Sequence, residues 1–183
     1  MKILDVLLER VSPTALVEPG PTEEQLQKIL VAGASAPDHG RMKPWRFVII
    51  EGNARFRFGD LMALSLARRE PGTTEPRLED ERRKALRAPT VIGIAAALRD
   101  NPKVPEVEQI VAAGAAAQNI LIASHALGFG GFWRTGSLAY DPEVKRAFGL
   151  SETDSIVGFI YIGSVGQPGR PHQIQIDEFV RRF

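Results

Sequence analysis

The first residues that could do chemistry form a short polar loop, Asp38-His39-Gly40-Arg41, with Lys43 two positions further on. Pro37 disfavours helical geometry at the residue before it, so the preceding stretch of small residues should end as a helix there. Pro44 then favours extended backbone, and residues 45–51 are rich in β-branched and aromatic side chains, which is typical of a buried strand. A loop held at both ends suits a binding site. An ordinary polar connection between a helix and a strand explains the same pattern.

A second candidate is the glycine-rich run Gly128-Phe129-Gly130-Gly131-Phe132-Trp133, which Arg134 follows. It superficially suggests the fingerprint of a dinucleotide-binding turn. However, Trp133 stands where the third glycine belongs, and the run follows a predicted helix rather than a strand. What remains is bare backbone beside an indole and a guanidinium group, which could approach a flat or anionic ligand closely. A tight turn between a helix and a strand is the alternative.

A third candidate is the pair Arg10 and Ser12, just beyond a predicted N-terminal helix. An arginine next to a hydroxyl group suits phosphate binding. An ordinary surface arginine is the alternative explanation of the same sequence pattern. The three histidines, at positions 39, 125 and 172, lack the spacing of metal ligands. Carboxylates paired in an apolar setting are also absent from the sequence. We therefore expect neither a metal site nor hydrolytic catalysis.

Composition narrows the class of protein further. The 183 residues carry a net charge of +1, which indicates neither a nucleic acid nor a membrane as a partner. Cysteine is absent, which excludes disulfides, thiolate metal sites and cysteine nucleophiles. The first ten residues are amphipathic and interrupted by charge, unlike a signal peptide. A cytoplasmic location is the expectation.

The elements that must position these residues are predicted from periodicity and from helix start and stop signals. Thr22 and Gln25 form a capping-box pattern. Asn53 and Asp141 are candidate caps for two further helices. We expect one domain over 1–183, with helices over 1–10, 23–35, 54–69, 77–87 and 106–127, a short helix from Asp141 to Gly149, and strands over 45–51, 90–98 and 155–165.

Four motifs in the right order resemble the FMN-dependent nitroreductase family, and the resemblance covers nearly the whole chain. More specifically, the chain is similar to a small subgroup of NAD(P)H nitroreductases. The motifs are Leu8-Glu9-Arg10-Val11-Ser12, Ala36-Pro37-Asp38-His39 with Pro44-Trp45, Gly128 to Gly136, and Ile156-Val157-Gly158-Phe159-Ile160-Tyr161-Ile162-Gly163.

The resemblance implies an α+β fold with a central, mainly antiparallel sheet surrounded by helices. It also implies a homodimer with an FMN at each of two interface sites. By position, Arg10 and Ser12 would hold the FMN phosphate, with backbone from Val11, and Ser35 and His39 would come from the helix and loop. Arg134 would add positive charge. The flavin would be lined by main-chain groups of four residues, Gly130, Gly131, Phe132 and Trp133.

The implied activity is NAD(P)H-dependent reduction of nitroaromatics, quinones or other flat small-molecule acceptors in a ping-pong cycle. The flavin does the chemistry, so no catalytic side chain is expected. A non-enzymatic flavoprotein for storage or sensing is the alternative. Flavin fragmentation or dehydrogenation of peptide-derived rings are further reactions of the same family.

The chain also departs from the family pattern. The family usually has a second cation where this chain has Val11, and close relatives have arginine where Ala15 and Ser35 stand. Lys43 replaces the usual glutamine before Pro-Trp. Each lost charge-assisted hydrogen bond would cost about 1.5–3 kcal/mol of FMN binding.

The C-terminal residues suggest how the dimer is held together. Two prolines in 168–183 disfavour a compact helix there. Ile174 and Ile176 alternate with polar residues, which is the pattern of a half-buried strand. Small residues over 112–117 would let another helix approach closely. We expect an extended tail that is swapped onto the partner subunit and extends its sheet.

Overall fold

The computed structural model describes residues 3–170 and 175–183. Its helices are α1 (Ile3–Glu9), α2 (Glu23–Ala34), α3 (Ala54–Arg69), α4 (Glu75–Arg83), α5 (Glu106–Ala126) and α6 (Pro142–Ala147). Its strands are β1 (Ala15–Val17), β2 (Trp45–Glu51), β3 (Thr90–Ala96), β4 (Gly130–Arg134) and β5 (Ser155–Gln167). Short 3-10 turns cover His39–Arg41, Lys84–Leu86, Ser137–Tyr140 and Ile176–Phe179.

A five-stranded sheet organises these elements around β5, its longest strand. β5 pairs with β1, β3 and β4, and β3 pairs with β2; every one of these pairings is antiparallel. All residues of β3 are buried, as its uninterrupted apolar run predicts. The predicted α+β class, with a mainly antiparallel sheet among helices, is confirmed.

Helices cover both faces of the sheet and bury two apolar clusters. On one face, α2 and α5 pack against β3 and β5; the side chains include Ile29, Ile92, Ile120, Ile160 and Ile162. On the other face, α3 and α6 pack on alternate residues of the same strands; these include Phe58, Met62, Val91, Val144, Phe159 and Tyr161. Because both faces are covered, polar chemistry is left to the strand ends and connecting turns.

The predicted helix signals were correct in some places and wrong in others. Thr22 and Gln25 form the reciprocal capping box, and Asp141 caps α6. Asn53 does not cap α3: its backbone is already helical and its side chain makes no capping hydrogen bond. The charged helix α4 begins at Glu75, earlier than predicted, because Pro76 is accommodated in its first turn.

Helix α1 does not bury the apolar face that the sequence predicts. Leu4, Leu7 and Leu8 are exposed, and Val6 is the buried residue instead. A short helix at the edge of the fold thus displays apolar side chains to its surroundings. No helix in the described part of the chain is long and apolar enough to cross a membrane.

The C-terminal tail differs from the predicted strand. Residues 176–179 form a 3-10 turn, because local hydrogen bonds replace the sheet pairing that the alternating pattern suggests. His172 and Ile174 lie outside the described residues. Ile176, Phe179 and Val180 are exposed. The swap onto a partner subunit stays a prediction.

Asp141 offers a test of what stabilises the region around α6. It is buried, accepts a hydrogen bond from the Glu143 amide at 2.8 Å as the cap of α6, and accepts two more from Arg68 at 3.0 and 2.8 Å. Burial raises the pKa of Asp141, but the neighbouring Ser65 hydroxyl, Arg68 guanidinium and Glu143 amide outweigh burial and hold the pKa below its ordinary value.

Asp141→Ala should therefore lower the free energy of unfolding by about 2–3 kcal/mol, since both a cap and a charge-assisted pair are lost. A depressed pKa contributes stability above the unfolded-state value of about 3.9, and this contribution is lost as the pH falls through the folded-state pKa. Urea unfolding at pH 7 and pH 3 measures both effects. A wild-type advantage that is equal at the two pH values would contradict the assignment.

Candidate functional site

A groove of about 820 Å³ lies where the N-terminal segment, the turn after α4 and strand β4 meet. Residues 12–16 form one wall, Leu86 and Arg87 a second, and Phe132, Trp133 and Arg134 a third. We call it the central groove. It brings together four of the predicted site residues, Ser12 and the three from β4.

A smaller groove of about 510 Å³ continues from the central groove past Ser12 and Thr14. We call it the Arg10 groove; its lining residues are Arg10, Val11, Ser12, Thr14, Gly169 and Arg170. The predicted phosphate residues Arg10, Val11 and Ser12 therefore lie together. Arg170, from the other end of the chain, adds a second positive charge to them.

The C-terminal segment is held against this groove by close backbone contact. The Thr14 amide donates to the Gln167 carbonyl at 3.1 Å. A Cβ atom on Gly169 would lie 2.1 Å from the Ser12 carbonyl oxygen, so only glycine allows this approach. Arg170 follows directly and is carried to the same groove as Arg10.

One nitrogen of the Arg10 guanidinium is an unsatisfied donor. This nitrogen, Nη1, is buried and has no hydrogen-bond acceptor within residues 3–170 and 175–183. Leaving a buried charged donor unpaired is costly. The described lining of the groove contains no carboxylate. An anion held here, such as a phosphate, would satisfy the donor, so these residues fit a phosphorylated cofactor.

Trp133 is fixed at the junction of β4 and β5. Its indole N–H donates to the Val157 carbonyl at 3.2 Å, and the ring lies over Gly158. About a third of the side chain (36%) stays exposed. Because the ring is held and still accessible, it offers the central groove a rigid flat wall for an aromatic ligand.

Behind this wall, aromatic packing orients a cation. The rings of Phe132 and Tyr161 stack with centroids 4.9 Å apart, and the Arg134 guanidinium lies 5.3 Å from the Phe132 centroid. Burial raises the pKa of Tyr161 to about 12, although Arg87 and Arg134 oppose that rise. Tyr161 is thus a neutral phenol at physiological pH.

A third groove, of about 580 Å³, adjoins the central groove and shares Arg87, Trp133 and Arg134 with it. We call it the Arg69 groove. Besides the shared residues, its charged lining consists of Arg69, Lys84 and Glu81. Lys84 Nζ lies 2.5 Å from Glu81 Oε2. The three grooves adjoin one another through shared lining residues, and we call them together the trough; cations line both of its end grooves. Each volume falls in the usual range for small-molecule sites.

Ser35 and His39 are not on this trough. Ser35 is exposed at the end of α2, where its hydroxyl donates to the Val31 carbonyl at 2.8 Å. His39 Nδ1 contacts the Glu108 carboxylate and lines a separate groove of about 310 Å³ beside α5. In the described chain, then, these two predicted residues lie apart from the other predicted site residues.

Gly130 and Gly131 lie behind the trough, inside β4. A Cβ on Gly130 would come within 2.8 Å of Leu16, Pro13 and Val165, and one on Gly131 within 2.9 Å of Leu121. Their lack of a side chain serves the packing of β4.

Sequence reasoning missed several trough residues: Thr14, Lys84, Arg87 and Arg170. Arg87 and Lys84 sit beside a charged helix whose sequence indicates only a solvated surface. Arg170 is more than 150 positions from Arg10, and no local pattern relates the two. The one local signal for Arg170 was the preceding Gly169, because a glycine between two prolines permits a close backbone approach.

Gly158 provides a test of how Trp133 is positioned. An added Cβ would lie 2.0 Å from Trp133 Nε1 and 2.8 Å from the Arg134 carbonyl oxygen. Gly158→Ala should displace the indole and cost about 1–3 kcal/mol of stability. In a Trp45→Phe background, which leaves Trp133 as the sole tryptophan, its fluorescence maximum should shift. An unchanged spectrum and stability would contradict this packing.

Comparisons with known proteins identify the family of the chain. The Nitroreductase family model matches residues 11–164. The curated Escherichia coli K12 protein named "Putative NAD(P)H nitroreductase YdjA" is 44% identical over 164 residues, covering 90% of this chain and 88% of the relative.

Solved structures share the fold. A nitroreductase-like family protein from Bacillus cereus superposes with a TM-score of 0.85 at 24% identity, covering 100% of this chain and 96% of that one. A Desulfovibrio desulfuricans protein, described as a "putative nitroreductase in complex with FMN", has a TM-score of 0.76 at 24% identity, with coverage of 100% and 97%. Since the family model spans most of the chain and the E. coli relative is 44% identical, this chain belongs to the nitroreductase family.

Proposed function

We propose that the chain is an FMN-dependent NAD(P)H oxidoreductase that reduces nitroaromatics, quinones or similar flat acceptors. One observation carries the proposal: the buried, unpartnered Nη1 of Arg10 lies at one end of a trough whose middle is walled by Trp133. A phosphate end joined to an aromatic middle matches the two chemical halves of FMN. The family membership and the FMN-bound neighbour support the same cofactor.

In this proposal Arg10, Ser12 and Arg170 hold the FMN phosphate, with backbone from Val11. The flavin ring lies along Phe132, Trp133 and Arg134. The chemistry that FMN supplies when bound is transfer of two electrons, first from NAD(P)H and then to the acceptor, in a ping-pong cycle.

In this proposal the protein's own residues position the bound ligand and stabilise negative charge that develops on it. Trp133, held by Val157 and Gly158, excludes water from one side of the central groove. Arg87 and Arg134 favour negative charge that develops on a ligand between them. Tyr161, with its raised pKa, keeps its proton. No side chain is assigned a proton transfer in this proposal.

We infer that the working unit is a homodimer in which Ser35 and His39 reach the FMN of the partner subunit. Neither residue lies on the trough of its own subunit. Apolar side chains that a monomer would leave in water support a large interface; they are Leu4, Leu7 and Leu8 on α1, Val107 and Val111 on α5, and Ile176, Phe179 and Val180 in the tail. Neither a nucleic acid nor a membrane is proposed as a partner.

A non-enzymatic flavin-binding protein was the alternative, because cations expected at positions 11, 15 and 35 are missing. Arg170 and Arg87 supply positive charge on the trough from other elements. This compensation removes the reason for preferring the alternative.

The deciding experiment has two steps. The dialysed protein is titrated with FMN and followed by quenching of flavin fluorescence, and the loaded protein is then mixed anaerobically with NADH or NADPH. We expect saturable binding and bleaching of the flavin absorbance, with reoxidation by a nitroaromatic or a quinone. Binding without bleaching would favour the storage or sensing protein, and absence of binding would overturn both functions.

A further inference from the structure

The Arg69 groove holds more positive charge than the proposed cofactor explains. FMN carries a single phosphate, which the proposed function assigns to the Arg10 end of the trough. At the opposite end, Arg69, Lys84, Arg87 and Arg134 face one carboxylate, that of Glu81. A flavin ring does not require four cations.

The state of these cations shows which are available to a ligand. Lys84 is paired with Glu81 at 2.5 Å. Arg69, Arg87 and Arg134 have no carboxylate within 4.0 Å among the described residues. The contrast within α3 is sharp, because Arg68 is bound by Asp141 at 2.8 Å whereas its neighbour Arg69 lines the groove.

Unpaired guanidinium groups around a concave surface attract anions and present paired donors to phosphate and carboxylate groups. Arg87 and Arg134 line both the central groove and the Arg69 groove. A molecule stacked in the central groove can therefore place an anionic group beside Arg69. Tyr161 lines the Arg69 groove as a neutral phenol and adds no negative charge to it.

We propose that the Arg69 groove binds the anionic group of the second substrate, the molecule that stacks on the flavin. This rests on the proposed function, which gives the rest of the trough to FMN. Two sources carry such a group: the adenosine 2′-phosphate that distinguishes NADPH from NADH, and a carboxylate on the acceptor.

Arg69→Gln tests the proposal, because Arg69 lines this groove and is not assigned to FMN. Steady-state rates are measured with NADPH and NADH, and with 4-nitrobenzoate and 4-nitrobenzyl alcohol. For at least one pair, we expect the substitution to lower kcat/KM about tenfold for the member with the additional anionic group, and less than twofold for the other. The discrimination should shrink with added salt.

Arg57→Gln is the matched control. Arg57 lies on the same helix, α3, but lines a different groove beside Val48, Phe58 and Phe148. The charge change is identical, so a general electrostatic effect would appear in both variants. We expect Arg57→Gln to leave both ratios as in the wild type.

Equilibrium titration of the oxidised, FMN-loaded proteins gives a readout independent of turnover. NADP⁺, NAD⁺ and the two nitro compounds are followed through the flavin absorbance. A loss confined to NADP⁺ identifies the reductant as the source of the anion, and a loss confined to 4-nitrobenzoate identifies the acceptor; either supports the subsite.

Unchanged ratios for both pairs in Arg69→Gln, with FMN bound as tightly as in the wild type, would overturn the subsite and leave the proposed function standing. Failure of the wild-type protein to bind FMN would overturn the proposed function, and the subsite with it. FMN titration of every variant separates these two results.

Discussion

Replacing Arg10 by alanine should weaken FMN binding by about 1.5–3 kcal/mol, which is roughly a 10- to 150-fold rise in Kd. The reason is that its buried Nη1 has no acceptor in the described part of the chain, so a phosphate would form its hydrogen bond. Titration with riboflavin, which lacks the phosphate, should show little difference between variant and wild type. An equal loss for both ligands would place Arg10 away from the phosphate.

The free energy of unfolding of the flavin-free protein provides a second test of the role of Arg10. A purely structural arginine should destabilise the fold when it is removed. Arg10→Ala should instead leave the free energy of unfolding unchanged or slightly higher without FMN, because it deletes an unsatisfied buried donor. Added FMN should then stabilise the wild type more than the variant. Arg57→Ala, a change in another groove, is the matched control and should affect neither quantity.

Removing residues 171–183 should convert the protein to monomers or aggregates and reduce FMN binding with it. This deletion retains Gly169 and Arg170, so the Arg10 groove keeps its own residues. What it removes includes Phe179, which is 73% exposed in one subunit, together with Ile176 and Val180. Exposed apolar side chains of this size favour an interface. Sedimentation velocity and FMN titration measure the two losses.

A full-length variant tests whether the apolar side chains of the tail, rather than the mere presence of the segment, hold the dimer together. Phe179→Ser with Val180→Ser should reproduce most of the effect of the deletion. Tyr140→Ser is a suitable control, because Tyr140 is 80% exposed but belongs to the turn that precedes α6. A truncated protein that remained a tight, fully loaded dimer would show that the tail does not clamp the interface.

Much of the fold was predictable because the relevant signals are local. The capping box at Thr22 and Gln25 marks the start of α2, and the apolar run of β3 predicts its burial. β1 was missed because three residues, Ala15–Val17, are too few to show a period. The exposed face of α1 was misjudged because apolar periodicity indicates that a face will be buried without indicating against what.

The candidate site was predictable only where its residues are close in sequence. Arg10, Val11 and Ser12 were proposed together and lie together, as do Phe132, Trp133 and Arg134. Arg87 and Arg170 reach the trough through tertiary structure, so a local pattern could not reveal them. The proposed roles of Ser35 and His39 need a second subunit.

The backbone contact between Thr14 and Gln167 also constrains when the site can form. The two residues are 153 positions apart, yet the Thr14 amide and hydroxyl both approach the Gln167 carbonyl. During synthesis, the N-terminal half of the Arg10 groove leaves the ribosome long before Gly169 and Arg170 exist. A nascent chain therefore cannot complete the Arg10 groove until the segment with Gly169 and Arg170 has been synthesised and has folded back onto residues 10–14.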